Sequence, residues 1–199
     1  WPCCRGIHYP LTALTELMRE CAFAADEVER VLVRIGFAAT SQRFTTQKPA
    51  SFAGYQFSVP HAVAMVLLDI PPGPAWFEPQ VAEHPRVRAL RERVEVVRHE
   101  RDWEFSDLRF VTDGPVRRLP GAVEVTTTNG TWQEESDFAF GDSYAPEMRW
   151  SERDIEAKFR GLVGEPEASQ ILKTISRMEE LEDVRVLHSL LAKALPPAP

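Results

Sequence analysis

The opening octet, Trp1-Pro2-Cys3-Cys4-Arg5-Gly6-Ile7-His8, is dense in side chains that can do chemistry. Histidine, with an ordinary pKa of about 6.5, moves protons near neutrality. His8 sits close after Gly6, where bare backbone lets a ligand approach; the competing reading is a ring that caps or packs on the helix that follows. Arg5 offers paired donors suited to a carboxylate, or it is an ordinary surface arginine. Cys4 reads as a buried structural thiol. Farther along, Ser58 precedes an apolar run and can hold an anion at the positive end of a helix, or serve as a plain N-cap. His61 is placed to pack or bridge, and His84, His99 and His188 belong to no motif. No His or Cys spacing fits a metal site, and no Gly-rich phosphate loop occurs, so neither metal nor nucleotide is expected.

These residues need elements to position them. Leu11, Leu14, Met18 and Cys21 recur at helical intervals and predict a helix over 10–22, with Pro10 in its first turn. Alternation over 28–35 predicts a strand. Residues 38–55 are polar, contain Pro49 and Gly54, follow neither period, and are expected to form a long loop. A buried helix is expected from the Ser58 cap to Ile70, stopped by Pro71 and Pro72. A short helix over 86–93 and a strand over 95–98 come next. Strands at 122–128 and 131–140 meet at Asn129-Gly130, a dipeptide that suits a tight hairpin. Ser151 and Asp154 resemble a capping box opening a helix through Leu162, and two more helices are expected over 167–181 and 184–195. The arginines Arg86, Arg88, Arg91 and Arg93 are interleaved with Glu92 and Glu95 and read as a solvated face. Strands in the middle with helices at both ends predict an α+β fold, a small, mainly antiparallel sheet with helices packed on it.

The bulk composition narrows the class of partner. With 199 residues and 44% hydrophobic content, the chain can bury a substantial core. Its formal charge of -7 disfavours nucleic acid and anionic membranes as partners. An anionic ligand would need a locally basic pocket. Three cysteines, two of them adjacent, fit a reducing, cytoplasm-like compartment. The longest apolar run, 62–70, is short of the roughly 20 residues that a membrane-spanning helix needs. The sequence opens directly on the motif at Trp1, which we read as a piece of a longer chain.

The octet resembles the aromatic-Pro-x-Cys-x-x-x-His motif that begins the C-terminal domain of the MmgE/PrpD family, which includes 2-methylcitrate dehydratase and cis-aconitate decarboxylase. Further blocks follow in order. Phe57-Ser58-Val59-Pro60-His61-Ala62-Val63-Ala64 resembles the family's Phe-Ser-x-x-Tyr-x-x-Ala helix, and Leu67-Leu68-Asp69 its Leu-x-Asp-Gly ending. Phe77, the segment Pro85-Arg86-Val87-Arg88-Ala89-Leu90, the Asn129-Gly130 hairpin, Ile155-Glu156-Ala157-Lys158-Phe159 and Leu181-Glu182-Asp183-Val184 complete a likeness over nearly the whole chain.

The resemblance implies that residues 1–199 form the lid domain of a two-domain, homodimeric enzyme. Its larger, all-helical N-terminal domain lies outside this chain, and the active site lies between the two. It implies cofactor-independent acid/base proton transfer on a small di- or tricarboxylate, with His8 as the catalytic residue and Arg5, Cys4 and Ser58 near the substrate. Decarboxylase-like members carry a catalytic histidine at the place of Cys4 and a tyrosine at that of Thr40. Dehydration therefore ranks first, epimerisation of an amino- or imino-dicarboxylate second and decarboxylation third. A free-standing lid or dimerisation module without chemistry is the non-enzymatic alternative.

Overall fold

Val31, Val33 and Ile35 alternate with Arg30, Leu32 and Arg34, and this period-two pattern builds the strand around which the first part of the molecule is organised. The computed structural model describes residues 1–36, 41–102 and 118–194, and within them the chain divides into two compact units, Trp1–Arg149 and Trp150–Pro199. The first unit carries a sheet and helices, the second helices alone, and the fold is α+β.

In the first unit a short 3-10 turn, Arg5–Ile7, leads into α1 (His8–Glu20). The helix thus begins at His8, earlier than its apolar periodicity alone places it. Strand β1 (Val28–Ile35) follows, then the short helices α2 (Gln42–Thr45) and α3 (Phe52–Phe57), then α4 (Val59–Leu67). The expectation of an irregular loop over 38–55 is corrected here. Phe44 is buried with its ring edge-on to Phe57 at 5.5 Å, which anchors α2, and the Ser51 hydroxyl accepts from the Gly54 amide at 3.1 Å, which caps α3. After α4 come α5 (Pro79–Ala82), α6 (Pro85–Glu92) and β2 (Val94–Arg98), and later the hairpin β3 (Gly121–Thr127) and β4 (Gly130–Ser136).

The four strands lie in the order β2-β1-β3-β4. β1 pairs with β2 in parallel, Val33 opposite Val96, and with β3 antiparallel, Val33 opposite Val123. β3 and β4 are antiparallel, so two of the three pairings have the expected sense. The hairpin loop itself is Thr128-Asn129, one residue earlier than the dipeptide suggests. Gly130 opens β4 with φ 151°, while the Asn129 amide donates to the Thr127 hydroxyl at 3.1 Å and its side chain to Glu27 at 3.0 Å. Those two bonds hold Asn129 in the loop and leave the unusual φ to glycine.

One face of the sheet, carrying Val31, Val33, Val94, Val123 and Val125, forms a single apolar core with Leu11, Leu14 and Leu17 of α1 and Val59, Val63 and Leu67 of α4. The other face holds a cross-strand ladder in which Arg30 pairs with Glu95 at 2.6 Å and with Glu124 at 3.6 Å, and Arg34 with Glu124 at 3.7 Å. The arginines of 86–93 are not uniformly solvated. Arg91 is buried, donating to Glu83 at 2.9 Å, and Arg93 reaches back to the Val28 carbonyl at 2.5 Å.

The second unit consists of α7 (Glu152–Val163), α8 (Glu167–Ile175) and α9 (Arg185–Ala194), with α8 packing on both neighbours and burying Ala168 and Ile171. The capping box opening α7 is present: Asp154 accepts from the Ser151 amide at 2.8 Å, and the Ser151 hydroxyl accepts from the Asp154 amide at 3.3 Å. α8 stops at Ile175, short of Leu181, where a 3-10 turn at Met178–Glu180 replaces the expected continuation. Among the described residues, no helix is long and apolar enough to cross a membrane.

Candidate active site

Two backbone bonds at Cys4 fix the octet. The Cys4 amide donates to the Gln56 carbonyl at 2.9 Å, tying the segment to the end of α3, and the Ile7 amide donates to the Cys4 carbonyl at 2.9 Å, closing the turn before α1. His8 is therefore the first residue of a helix, where unpaired amides and the helix dipole disfavour a positive charge.

His8 and Arg5 meet. Arg5 Nη1 donates to His8 Nδ1 at 3.1 Å, and His8 Nε2 faces the Cys3 carbonyl at 3.3 Å. Burial first, and with it the neighbouring positive charge of Arg5, pushes the His8 imidazole down to about 4, against opposing hydrogen bonds to the backbone of Cys3 and Trp1. The Trp1 ring stands edge-on to His8 at 5.3 Å and contacts Phe140 at 5.8 Å.

Arg5 does not present a free fork. Its Nη1 also donates to the Phe140 carbonyl at 3.2 Å, its Nη2 is ion-paired with Asp142, and its guanidinium lies 5.5 Å from the centre of the Tyr9 ring. A protein carboxylate thus already engages the group that the sequence suggests for a substrate carboxylate. Asp142 is held in turn by the Ala139 amide at 2.8 Å, and the Phe140 amide donates to the Thr12 hydroxyl at 3.2 Å, docking the turn after β4 onto α1. Asp142 and Phe140 lie more than a hundred residues from the octet and carry no local signal. Gly141, at φ 89°, is the one mark of a turn there.

Cys4 is half-buried rather than fully buried, and Cys3, Cys4 and Cys21 are all free thiols. Burial raises the Cys3 thiol to about 12, so it stays protonated. Ser58 is fully buried; its hydroxyl donates to the Thr46 carbonyl at 2.7 Å and accepts from the His61 amide at 3.1 Å, the geometry of an N-cap. His61 is buried between Tyr55 and Trp76, with Nε2 2.9 Å from the Trp76 carbonyl, and burial pushes it down to about 4. His84 caps α6 through the Arg86 amide at 3.3 Å, and His99 Nδ1 accepts from the Arg101 amide at 3.0 Å. The structure therefore joins Arg5, His8 and the Cys3–Cys4 backbone in one place, while the Ser58 hydroxyl is occupied by its cap. Thr40 lies outside the described residues. Among the described residues, no three His, Cys, Asp or Glu side chains are grouped to hold a metal ion.

What this arrangement offers is a neutral imidazole at a helix start, held by an arginine whose charge is paired with Asp142, so that a ring N–H is the group left to meet a small anion. No curated protein matches the chain closely enough to stand as a relative. The family described as MmgE/PrpD C-terminal domain matches residues 1–181, which takes in the octet, the whole sheet and most of the helices of the second unit, and the chain belongs to that family as its C-terminal domain.

Proposed function

We propose that this domain serves a cofactor-independent lyase of the 2-methylcitrate dehydratase type, acting on a small di- or tricarboxylate by proton transfer next to a carboxylate. The observation that carries this reading is the junction of His8 and Arg5 at the start of α1, within the motif that opens the family's C-terminal domain. His8 is the group that meets substrate, Arg5, paired with Asp142, holds His8 in position, and the Cys4 backbone and the Ser58 cap hold the surrounding segments in place. The rest of the catalytic set and the other wall of the site belong to an all-helical N-terminal domain of the same protein, over which this domain closes as a lid in a homodimer. A role in cytoplasmic propionate metabolism follows if the substrate is methylcitrate.

Cys4 in place of the decarboxylases' histidine favours dehydration over decarboxylation. Epimerisation of an imino-dicarboxylate uses the same proton abstraction without loss of hydroxyl. Incubating the protein encoded by the full reading frame with 2-methylcitrate in deuterated buffer separates these readings. An unsaturated tricarboxylate is expected. Deuterium exchange without a new double bond, tested also with an imino-dicarboxylate, would replace dehydration by epimerisation, and neither outcome on any carboxylate would leave a non-catalytic lid or dimerisation module.

A further inference from the structure

Arginine has donors and no acceptor, so at the 3.1 Å contact between Arg5 Nη1 and His8 Nδ1 the imidazole must be the acceptor. A neutral ring that accepts at Nδ1 carries its proton on Nε2. That Nε2–H faces the Cys3 carbonyl at 3.3 Å, at the long end for a hydrogen bond, and the ring also bonds the Trp1 backbone, so a substrate oxygen would replace backbone acceptors at this edge. Protonating the ring would place an Nδ1–H against the guanidinium, so His8 cannot charge unless Arg5 moves. Arg5 is kept from moving by the Asp142 ion pair and the Phe140 carbonyl at 3.2 Å, and Asp142 is itself fixed by the Ala139 amide.

We propose that Asp142 fixes Arg5 and Arg5 fixes His8 as the neutral Nε2–H tautomer, so that His8 acts as a hydrogen-bond donor to a developing oxyanion rather than as the base. This rests on the reading of a carboxylate substrate given above and assigns the role of one residue within it. As the C–H bond next to the substrate carboxylate breaks, the proton passes to a separate general base of carboxylate, imidazole or amine type. The electron pair moves into the carboxylate, and the Nε2–H bond to that oxygen shortens while His8 keeps its proton. Arg5 and Asp142 are positioning residues in this scheme. The charged and titratable groups around the ring are Arg5, Asp142, Tyr9 and Cys3. Arg5 has no acceptor, burial holds Tyr9 and Cys3 protonated, and the Asp142 carboxylate faces Arg5 and the Ala139 amide rather than Nε2.

The test is the tautomer itself, read from long-range proton–nitrogen spectra of the chain labelled with nitrogen-15 in histidine. His8 is identified by its loss in His8→Gln. In the wild type, His8 should be the neutral Nε2–H form at about pH 7 and remain so at about pH 5, where an unperturbed histidine is mostly charged. Arg5→Met should give a mixture of tautomers at the higher pH and a larger charged fraction at the lower, and Asp142→Asn should loosen the same preference. A wild-type His8 that carries its proton on Nδ1 or is mostly charged at the lower pH overturns the proposal, as does an Arg5→Met spectrum unchanged in both respects. No substrate enters this measurement, so its failure leaves the lyase reading standing, and a failed turnover assay leaves the tautomer result standing.

Discussion

His8 has both ring nitrogens engaged by its own neighbours, and that limits what it can do more than its residue type does. A neutral donor aimed at an oxyanion contributes roughly 10²–10³ in rate by analogy with other preorganised donors. In the full-length enzyme His8→Phe is therefore expected to lower kcat by about that factor, while His8→Gln, which retains an N–H donor, falls less; steady-state kinetics on both variants checks the order. Burial has a second consequence. His8 and His61 are each held down to about 4, below the ordinary 6.5, so the folded protein binds fewer protons than the unfolded chain between those values. Their contribution is present above pH 6.5 and is lost as pH falls toward 4. Urea midpoints measured across this interval should drop steadily, and His61→Gln should flatten the slope. A wild-type midpoint independent of pH here would contradict the burial of both rings.

At this scale the sequence shows His8 and Arg5 as candidates because they share one short motif. It does not show Asp142 or Phe140, whose relation to Arg5 exists only after β4 has folded back over α1. Arg5 looks like a carboxylate clamp in sequence because nothing local reveals the protein carboxylate that it meets.

Among the elements, the junction of α1 with β3 positions the site most directly. A Cβ on Gly121 would lie 2.5 Å from the Pro10 nitrogen and 2.8 Å from the Tyr9 carbonyl carbon, so backbone would have to move in the residues just after His8. Gly121→Ala is expected to cost about 1–3 kcal/mol of stability as an overpacking change. The same substitution should shift the His8 ring signals; unchanged signals would mean that β3 does not set the position of the helix start. Ser58→Ala removes a buried cap and the donor to Thr46, an expected loss of about 1–2 kcal/mol by thermal or urea unfolding. Most elements were legible where periodicity was strong, as in α1, β1, α4 and the hairpin. Residues 42–57 were not, since α2 and α3 are each under two turns long and are held by Phe44, Phe57 and the Ser51 cap rather than by an amphipathic repeat. α8 likewise ends with no Gly or Pro between Ile175 and Leu181 to announce it.

For the whole molecule, the core that carries the sheet lies entirely within Trp1–Arg149, so a chain ending at Arg149 is expected to fold cooperatively and to keep the His8 environment. Circular dichroism and the histidine spectra of that truncation check this; a non-cooperative melt would show that the second unit is required. Family membership speaks for the domain and leaves the reaction to be tested, because a fold does not by itself fix a chemistry. The most direct measurement is product formation from 2-methylcitrate by the full-length protein, comparing wild type with His8→Phe. The expected result is an unsaturated tricarboxylate formed by the wild type and slowed by roughly 10²–10³ in the variant. Absence of any double-bond product, or equal rates for the two proteins, would contradict the assignment of a carboxylate lyase with His8 at its centre.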